Sequence, residues 1–168
     1  KMNFRNLKAN EIECRVSTMS EKGLSLLLYK DARCDMRILD ETVGALNWKR
    51  EHTRDNANCI VSIWDSEKKQ WISKEDTGTE SYTEKEKGLA SDSFKRACFN
   101  WGIGRELYTS PFIWISSGKG NYTPTTKNNK PTTYDKFIVE KIKIEDGAIV
   151  ALSIKNISLD KRVFVWQK

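Results

Sequence analysis

The chain has 168 residues and a formal net charge of +6, with 29 Lys and Arg against 23 Asp and Glu. Hydrophobic residues make up 38% and charged residues 31%, which is typical of a folded chain with one core and excludes a disordered one. No apolar run approaches the roughly 18 residues that a transmembrane helix needs. The start has no apolar signal segment, so we expect a cytoplasmic protein that does not contact membranes.

The first third of the chain predicts short elements. Residues 11–29 favour two extended stretches, or a helix end followed by a strand. The next segment, DARCDMRILDETVG, has apolar residues at helical spacing and predicts a short amphipathic helix that ends at Gly44. Three runs rich in Trp, Ile and Val follow: ALNWKREHT, NCIVSIWD and QWISKEDTG. They predict an antiparallel meander.

The best helix of the sequence follows these strands, in TEKEKGLASDSFKRACFNWG. Thr83 and Glu86 have the spacing of a capping box, and Gly102 ends the pattern. The apolar stripe consists of Leu89, Ala90, Phe94, Ala97, Cys98 and Trp101. We expect this helix to pack across one face of the three-stranded sheet.

The last third of the chain is different in character. Residues 116–133 are polar, with three lysines and no acid, and predict a mobile loop or arm. Residues 136–167 alternate apolar and polar residues, which predicts a β-hairpin around Asp146-Gly147 and a third short strand. The sequence therefore predicts an α+β fold with a β-β-β-α core and a C-terminal β-hairpin. We assign residues 1–168 to a single domain.

Enzyme signatures are missing. The four cysteines (Cys14, Cys34, Cys59 and Cys98) form no CxxC pair and predict reduced thiols, and His52 is the single histidine of the chain. The SGKGN segment around Lys119 lacks the spacing of a phosphate-binding loop. We therefore expect no catalytic residues, no metal and no cofactor.

The polar face of the long helix carries adjacent cations. At 100° per residue, Lys95, Arg96 and Phe99 point away from the apolar stripe, and Gly88 leaves that face open. Two cations with a phenyl ring one turn later suit a single nucleic-acid strand, which needs neutralised phosphates and a ring for base stacking. A solvated Lys-Arg pair, with Phe99 packed under a neighbouring loop or subunit, explains the same pattern equally well.

The segment SDSFKRACFNWGIGRELY resembles the signature helix of the Rad fifty-two single-strand annealing family, which includes phage annealing proteins. Upstream, IECRV resembles the family's early arginine strand. The run LLLYKDARCDMRILDETVGALNWKRE resembles its tyrosine strand, helix and tryptophan strand, and CIVSIWDSEKKQWISKEDTG resembles the next strand pair. The resemblance covers about residues 11–108.

The resemblance implies subunits that assemble side by side into a ring or filament, with single-stranded DNA in a basic groove. It implies that Lys95 and Arg96 contact phosphates and that Arg15 and Tyr29 line the same groove. Phe99 stands where the family carries a further arginine. This difference lowers the positive charge of the groove, or it replaces a phosphate contact by base stacking. For a second DNA site, Lys74, Lys85 and Lys87 are only weak candidates.

The function that follows is ATP-independent binding and annealing of complementary single DNA strands in recombination or repair, in a bacterial or phage-infected cell. The expected partners are single-stranded DNA, further copies of the chain, and a host single-strand binding protein, a recombinase or an exonuclease. One alternative is a passive single-strand binder on an OB-type barrel. Another is a structural or partner-binding phage protein in which Trp48, Trp64 and Trp71 form subunit contacts.

Overall fold

The computed structural model describes residues 2–79 and 85–168 and has a mixed α+β fold of mostly antiparallel strands. The chain forms two compact units, one of Lys1–Asn6 with Lys30–Arg105 and one of Leu7–Tyr29 with Glu106–Lys168. Two compact units can serve one function, so the assignment to a single DNA-annealing domain stays a prediction. None of the described helices has the length and apolar character needed to cross a membrane.

Strands outnumber helices in the described parts of the chain. The strands are β1 (Ile12–Ser20), β2 (Gly23–Lys30), β3 (Trp48–Thr53), β4 (Asn58–Asp65), β5 (Gln70–Thr77), β6 (Ile113–Ser116), β7 (Thr125–Lys127), β8 (Lys130–Thr132), β9 (Phe137–Glu145), β10 (Ala148–Asn156) and β11 (Lys161–Gln167). The helices are α1 (Ala32–Val43) and α2 (Lys85–Asn100), and short 3-10 turns cover Ala9–Glu11 and Arg105–Thr109.

The first unit confirms the predicted short helix. The Asp31 side chain caps α1 by accepting a hydrogen bond from the backbone N–H of Cys34 at 2.7 Å. Gly44 ends the helix at a φ of 91°, a left-handed conformation that favours glycine.

The predicted meander followed by a helix is also confirmed in this unit. Strand β4 lies between β3 and β5 in an antiparallel sheet, in a register that pairs Ile63 with both Trp48 and Ile72. Helix α2 packs on β4 and β5, and Phe94, Ala97 and Cys98 of its apolar stripe are fully buried. Thr83 and the side chain of Glu86 lie outside the described part of the chain, so the capping box stays a prediction.

The second unit contains a sheet that the sequence does not predict. Its strand order is β11-β10-β9-β1-β2-β6, and the two end strands contact each other, so the sheet is a nearly closed barrel. The C-terminal strands are confirmed, including the turn at Asp146-Gly147, where both φ angles are positive. They are not a separate hairpin, because β9 pairs with β1 through Glu13 and Ile138.

The polar segment 116–133 is not simply an irregular loop. Strands β7 and β8 form a short hairpin, and Asn128 and Asn129 have positive φ at its tip. Asparagine tolerates this conformation better than most residues, which suits a two-residue turn. Residues 125–132 thus form a hairpin within the segment that the sequence predicts as a loop or arm.

Candidate nucleic-acid interface

Cations gather around the carbonyl groups at the end of α2. Lys74 on β5 donates to the carbonyl of Asn100 at 3.3 Å. Arg105 donates from Nε to the carbonyl of Phe99 at 2.8 Å and from Nη2 to that of Asn100 at 2.7 Å. The last carbonyls of a helix have no partner within the helix and carry partial negative charge, so they hold cations at this end.

Lys30 contributes a third cation, from inside the unit. Its side chain is almost fully buried, and its ammonium donates to the carbonyls of Lys95 at 3.4 Å and Ile103 at 3.2 Å. It also forms an ion pair with Asp35 at 2.5 Å. All three ammonium protons therefore have acceptors, which fixes α1 to the end of α2 through one side chain.

Asp35 is the counter-ion of Lys30 and is fully buried. Burial raises the pKa of its carboxyl group from 3.8 to about 6, against the opposing attraction of Lys30 and, more weakly, Lys95. Only Oδ1 is paired, since Oδ2 has no hydrogen-bond partner among the described residues. The carboxylate is thus incompletely satisfied in its buried position.

Lys95 and Arg96 lie on α2 in partly exposed positions, as the helical spacing predicts. Arg96 Nε is 3.6 Å from Asp92 Oδ2 one turn earlier, and 42% of the Arg96 side chain is exposed. An exposed pair of this kind contributes little to stability, so the guanidinium is able to exchange Asp92 for another anion.

Phe99 has a contact that the sequence does not predict. The Lys30 ammonium lies 4.0 Å from the centre of its ring, in the geometry of a cation–π interaction. One ring face is therefore occupied inside the unit, and the side chain is only partly exposed. A base that stacks on Phe99 has to use the remainder of the ring.

Arg15 and Tyr29 lie together in the second unit. The Arg15 guanidinium carbon is 5.0 Å from the centre of the Tyr29 ring, and its Nη2 is 2.8 Å from Glu13 Oε2. Arg15 remains 60% exposed in this arrangement. The two residues that the resemblance assigns to one groove are thus neighbours, while Lys95, Arg96 and Phe99 belong to the first unit.

Sequence reasoning missed two of these cations and undervalued a third. Arg105 directly follows the glycines that end the helix, where a basic residue complements the helix terminus, so its position was a usable signal. Lys74 was only a weak candidate for a second site. Lys30 gave no signal, because a lysine at the end of an apolar strand is ordinarily exposed. The side chains of Lys85 and Lys87 lie outside the described residues.

Burial keeps three of the four cysteines in the thiol form. All four are free thiols, and Cys34, Cys59 and Cys98 are buried. Burial raises the pKa of Cys14 to about 12 and that of Cys59 to about 11, and it holds the pKa of Cys98 well above 9. These three thiols are protonated at neutral pH.

Comparison with known proteins adds no relative. No family model, curated protein or solved structure matches the chain.

Proposed function

We propose that this protein binds single-stranded DNA and anneals complementary strands without ATP. The observation that carries the proposal is the group of cations at the last two turns of α2, which we call the α2 cation cluster: Lys30, Lys74, Lys95, Arg96 and Arg105. Two of them, Lys95 and Arg96, are the residues that the annealing-family resemblance assigns to phosphate contacts.

Annealing requires that two like-charged strands approach each other. A surface that neutralises phosphates lowers this repulsion, and it releases counter-ions when the strand binds. The exposed members of the α2 cation cluster supply this charge, whereas the charge of the buried Lys30 is balanced by Asp35. The reaction involves no hydrolysis and no general acid or base, so it needs nothing beyond such a surface and bases that remain free to pair.

The Arg15–Tyr29 pair supports the same proposal from the second unit. A guanidinium and an aromatic ring in contact offer a phosphate partner and a stacking partner at one place. In this proposal the Arg15–Tyr29 pair contacts the strand from within the second unit.

Assembly into a ring or filament belongs to the proposal. The net charge of +6 is modest for one subunit, but side-by-side repetition makes it a continuous basic track. The process served is recombination or repair in a bacterial or phage-infected cell. A host single-strand binding protein, a recombinase or an exonuclease would be the further protein partner.

Salt-dependent binding to a labelled single-stranded oligonucleotide tests the α2 surface. We expect the Lys95→Ala/Arg96→Ala variant to bind about 25-fold more weakly at 0.1 M salt, with a salt slope smaller by about 1.4, if each residue contacts one phosphate. The matched control is Lys68→Ala/Lys69→Ala, which removes the same charge from an exposed turn. Equal binding by the two variants would place the strand elsewhere.

A passive single-strand binder remains a second candidate, and the nearly closed sheet of the second unit favours it. Phe112 is 76% exposed and stacks on Trp114, with ring centres 6.3 Å apart and planes at 14°. Gly23 makes room for Trp114, since a Cβ there would meet ring carbons at 2.7 and 2.9 Å. Exposed rings of this kind can stack on bases and hold a strand without accelerating its pairing with a second strand. Protection of strands without faster annealing would favour this candidate.

A further inference from the structure

We infer that the outward face of β9, β10 and β11 binds the sugar–phosphate backbone of a single nucleic-acid strand. We call this surface the meander face, and it consists of Lys141, Lys143, Ala151, Ser153, Arg162 and Val165. The inference extends the proposed function, because it adds a contact surface for the same class of ligand. It lies entirely within the second unit.

Strand register places these side chains on one face. Lys141 is opposite Ser153, which is opposite Val165, and the next row runs from Lys143 through Ala151 to Gln167. Residues two apart on a strand point to the same side and lie about 7 Å apart. The two lysines therefore form a short row of positive charge along β9.

Two β-bulges shape the arginine's place on this face. The β10–β11 register shifts between Ile154 and Lys155, so that Arg162 rather than Val163 lies opposite Lys155. The β9–β10 register shifts between Ser153 and Ile154, which leaves Glu140 as an extra residue of β9. Glu140 Oε1 accepts hydrogen bonds from Ser153 Oγ at 3.1 Å and from Arg162 Nε at 2.6 Å. The bulged carboxylate thereby holds the guanidinium beside the lysine row.

The meander face is concave and its lining is basic. A shallow depression of about 400 Å³ is lined by Lys141, Lys143 and Arg162, with Ala151, Val165 and Trp166 among its apolar residues. Two carboxylates border its three cations, Glu140 at Arg162 and Glu145 at Lys143. Val165 is 68% exposed on the floor, so a ligand can reach it.

The cations of this face retain capacity for an anion. Within the described part of the chain, Lys141 has no ion pair, and neither terminal amino group of Arg162 makes a hydrogen bond. Lys143 pairs with Glu145 at 3.1 Å, but both side chains are more than half exposed and the pair is weak. A phosphate can therefore replace water at all three side chains.

Charge complementarity favours a nucleic-acid strand as the occupant. A row of cations along one strand matches a row of regularly spaced phosphates, and the apolar floor accommodates the sugars. The contacts are to backbone only, so this surface would not distinguish sequences.

The experiment measures binding of a labelled single-stranded oligonucleotide between 50 and 300 mM salt. We expect Lys141→Gln/Lys143→Gln to bind about 25-fold more weakly than the wild type at 0.1 M salt, with a salt slope smaller by about 1.4. The control Lys68→Gln/Lys69→Gln makes the same charge change on an exposed turn and should retain most of the affinity. Both variants alter exposed residues, and thermal melting checks that they fold.

Several outcomes separate this inference from the proposed function. Equal affinities and slopes for the two variants would overturn the meander face while leaving the α2 surface in place. Wild-type binding without annealing would overturn the proposed function, and the variant comparison would still decide the meander face. A wild type that binds no oligonucleotide would overturn both. If polyglutamate binds as tightly as the oligonucleotide and depends equally on the two lysines, the ligand is an acidic peptide and the inference is wrong.

Discussion

The ammonium of Lys30 lies 4.0 Å from the centre of the Phe99 ring, so a buried cation supports the aromatic residue at the end of α2. The same ammonium pairs with Asp35 and donates to two carbonyls near the helix end. Lys30 therefore links the core of the first unit to the surface that carries Lys95 and Arg96. Changes at this one position test both stability and the candidate interface.

Replacing Lys30 by methionine should destabilise the protein at neutral pH. The change leaves the Asp35 carboxylate buried without a cation, which costs about 3–5 kcal/mol. The cost should shrink at acidic pH, where Asp35 is protonated, and in Lys30→Met/Asp35→Asn, where no buried charge remains. Urea unfolding measures all three. A single variant as stable as the wild type at pH 7 would show that the pair does not behave as a buried charge pair.

Asp35 should give the protein a pH-dependent stability with a definite sign. The unfolded chain releases this proton near pH 3.8 and the folded protein near 6. Between these values the folded state binds more protons, so the contribution of Asp35 to stability falls as pH rises from about 4 to about 6, and is constant above that. Across this window the contribution of Asp35 to the free energy of unfolding falls by about 3 kcal/mol.

The Asp35→Asn variant isolates this effect, because the amide has no proton to release. The stability of the variant relative to the wild type should rise across the window from pH 4 to pH 6, as measured by urea unfolding at each pH. Parallel pH profiles would contradict a raised pKa for Asp35.

Phe99→Ala separates packing from base stacking. Because Lys30 covers one face of the ring, we expect a loss of about 1–3 kcal/mol, below the cost for a fully buried phenylalanine. The sequence pattern alone predicts weaker DNA binding at a near-native melting temperature. Phe99→Leu serves as the control, since it keeps apolar volume but removes the ring. Native stability in the alanine variant would mean that the Lys30 contact contributes nothing.

Phe94→Ala should damage the core of the first unit. Phe94 is fully buried, stacks on Trp48 with ring centres 5.9 Å apart, and lies 4.5 Å from the Arg50 guanidinium. Truncation should cost about 3–5 kcal/mol, which thermal or urea unfolding measures. The milder Phe94→Leu should cost clearly less, and similar losses for both would show that ring volume is not what the site requires.

The tryptophans bear on the alternative of a structural protein. Trp48 is engaged inside the unit, since it stacks on Phe94 and donates from Nε1 to Asp40 at 2.7 Å. Trp64 and Trp71 form an edge-to-face pair with ring centres 5.5 Å apart, and Trp71 is 37% exposed. Of the three residues assigned to subunit contacts, Trp71 is therefore the best placed to make one.

The local part of the fold could be predicted from the sequence, because its signals are local. Strands β3 to β5 follow one another through short turns, and the stripe through Phe94 and Ala97 specifies the packed face of α2. The six-stranded sheet could not be predicted, since β2 pairs with β6 across some ninety residues and β1 with β9 across more than a hundred. The hydrophobic periodicity of one segment predicts that it is a strand, but it does not predict which distant strand it pairs with.

In the candidate site, too, the sequence predicts the local features and not the long-range contacts. Helical spacing predicts that Lys95 and Arg96 share the polar face of α2, and the resemblance pairs Arg15 with Tyr29. The ring contact between Lys30 and Phe99 joins residues 69 positions apart, and spacing within α2 predicts an exposed ring instead. The burial of Lys30 is equally hidden, because its acceptors, Asp35 and the carbonyl of Ile103, come from different elements.

The most direct test of the proposed function is the rate at which two complementary labelled oligonucleotides pair, without ATP or metal, over a range of salt. We expect the protein to accelerate pairing at low salt, and we expect Lys95→Ala/Arg96→Ala to lose this acceleration while Lys68→Ala/Lys69→Ala keeps it. Strand binding without acceleration would contradict annealing and leave a passive binder. Absence of any binding would contradict a nucleic-acid function altogether.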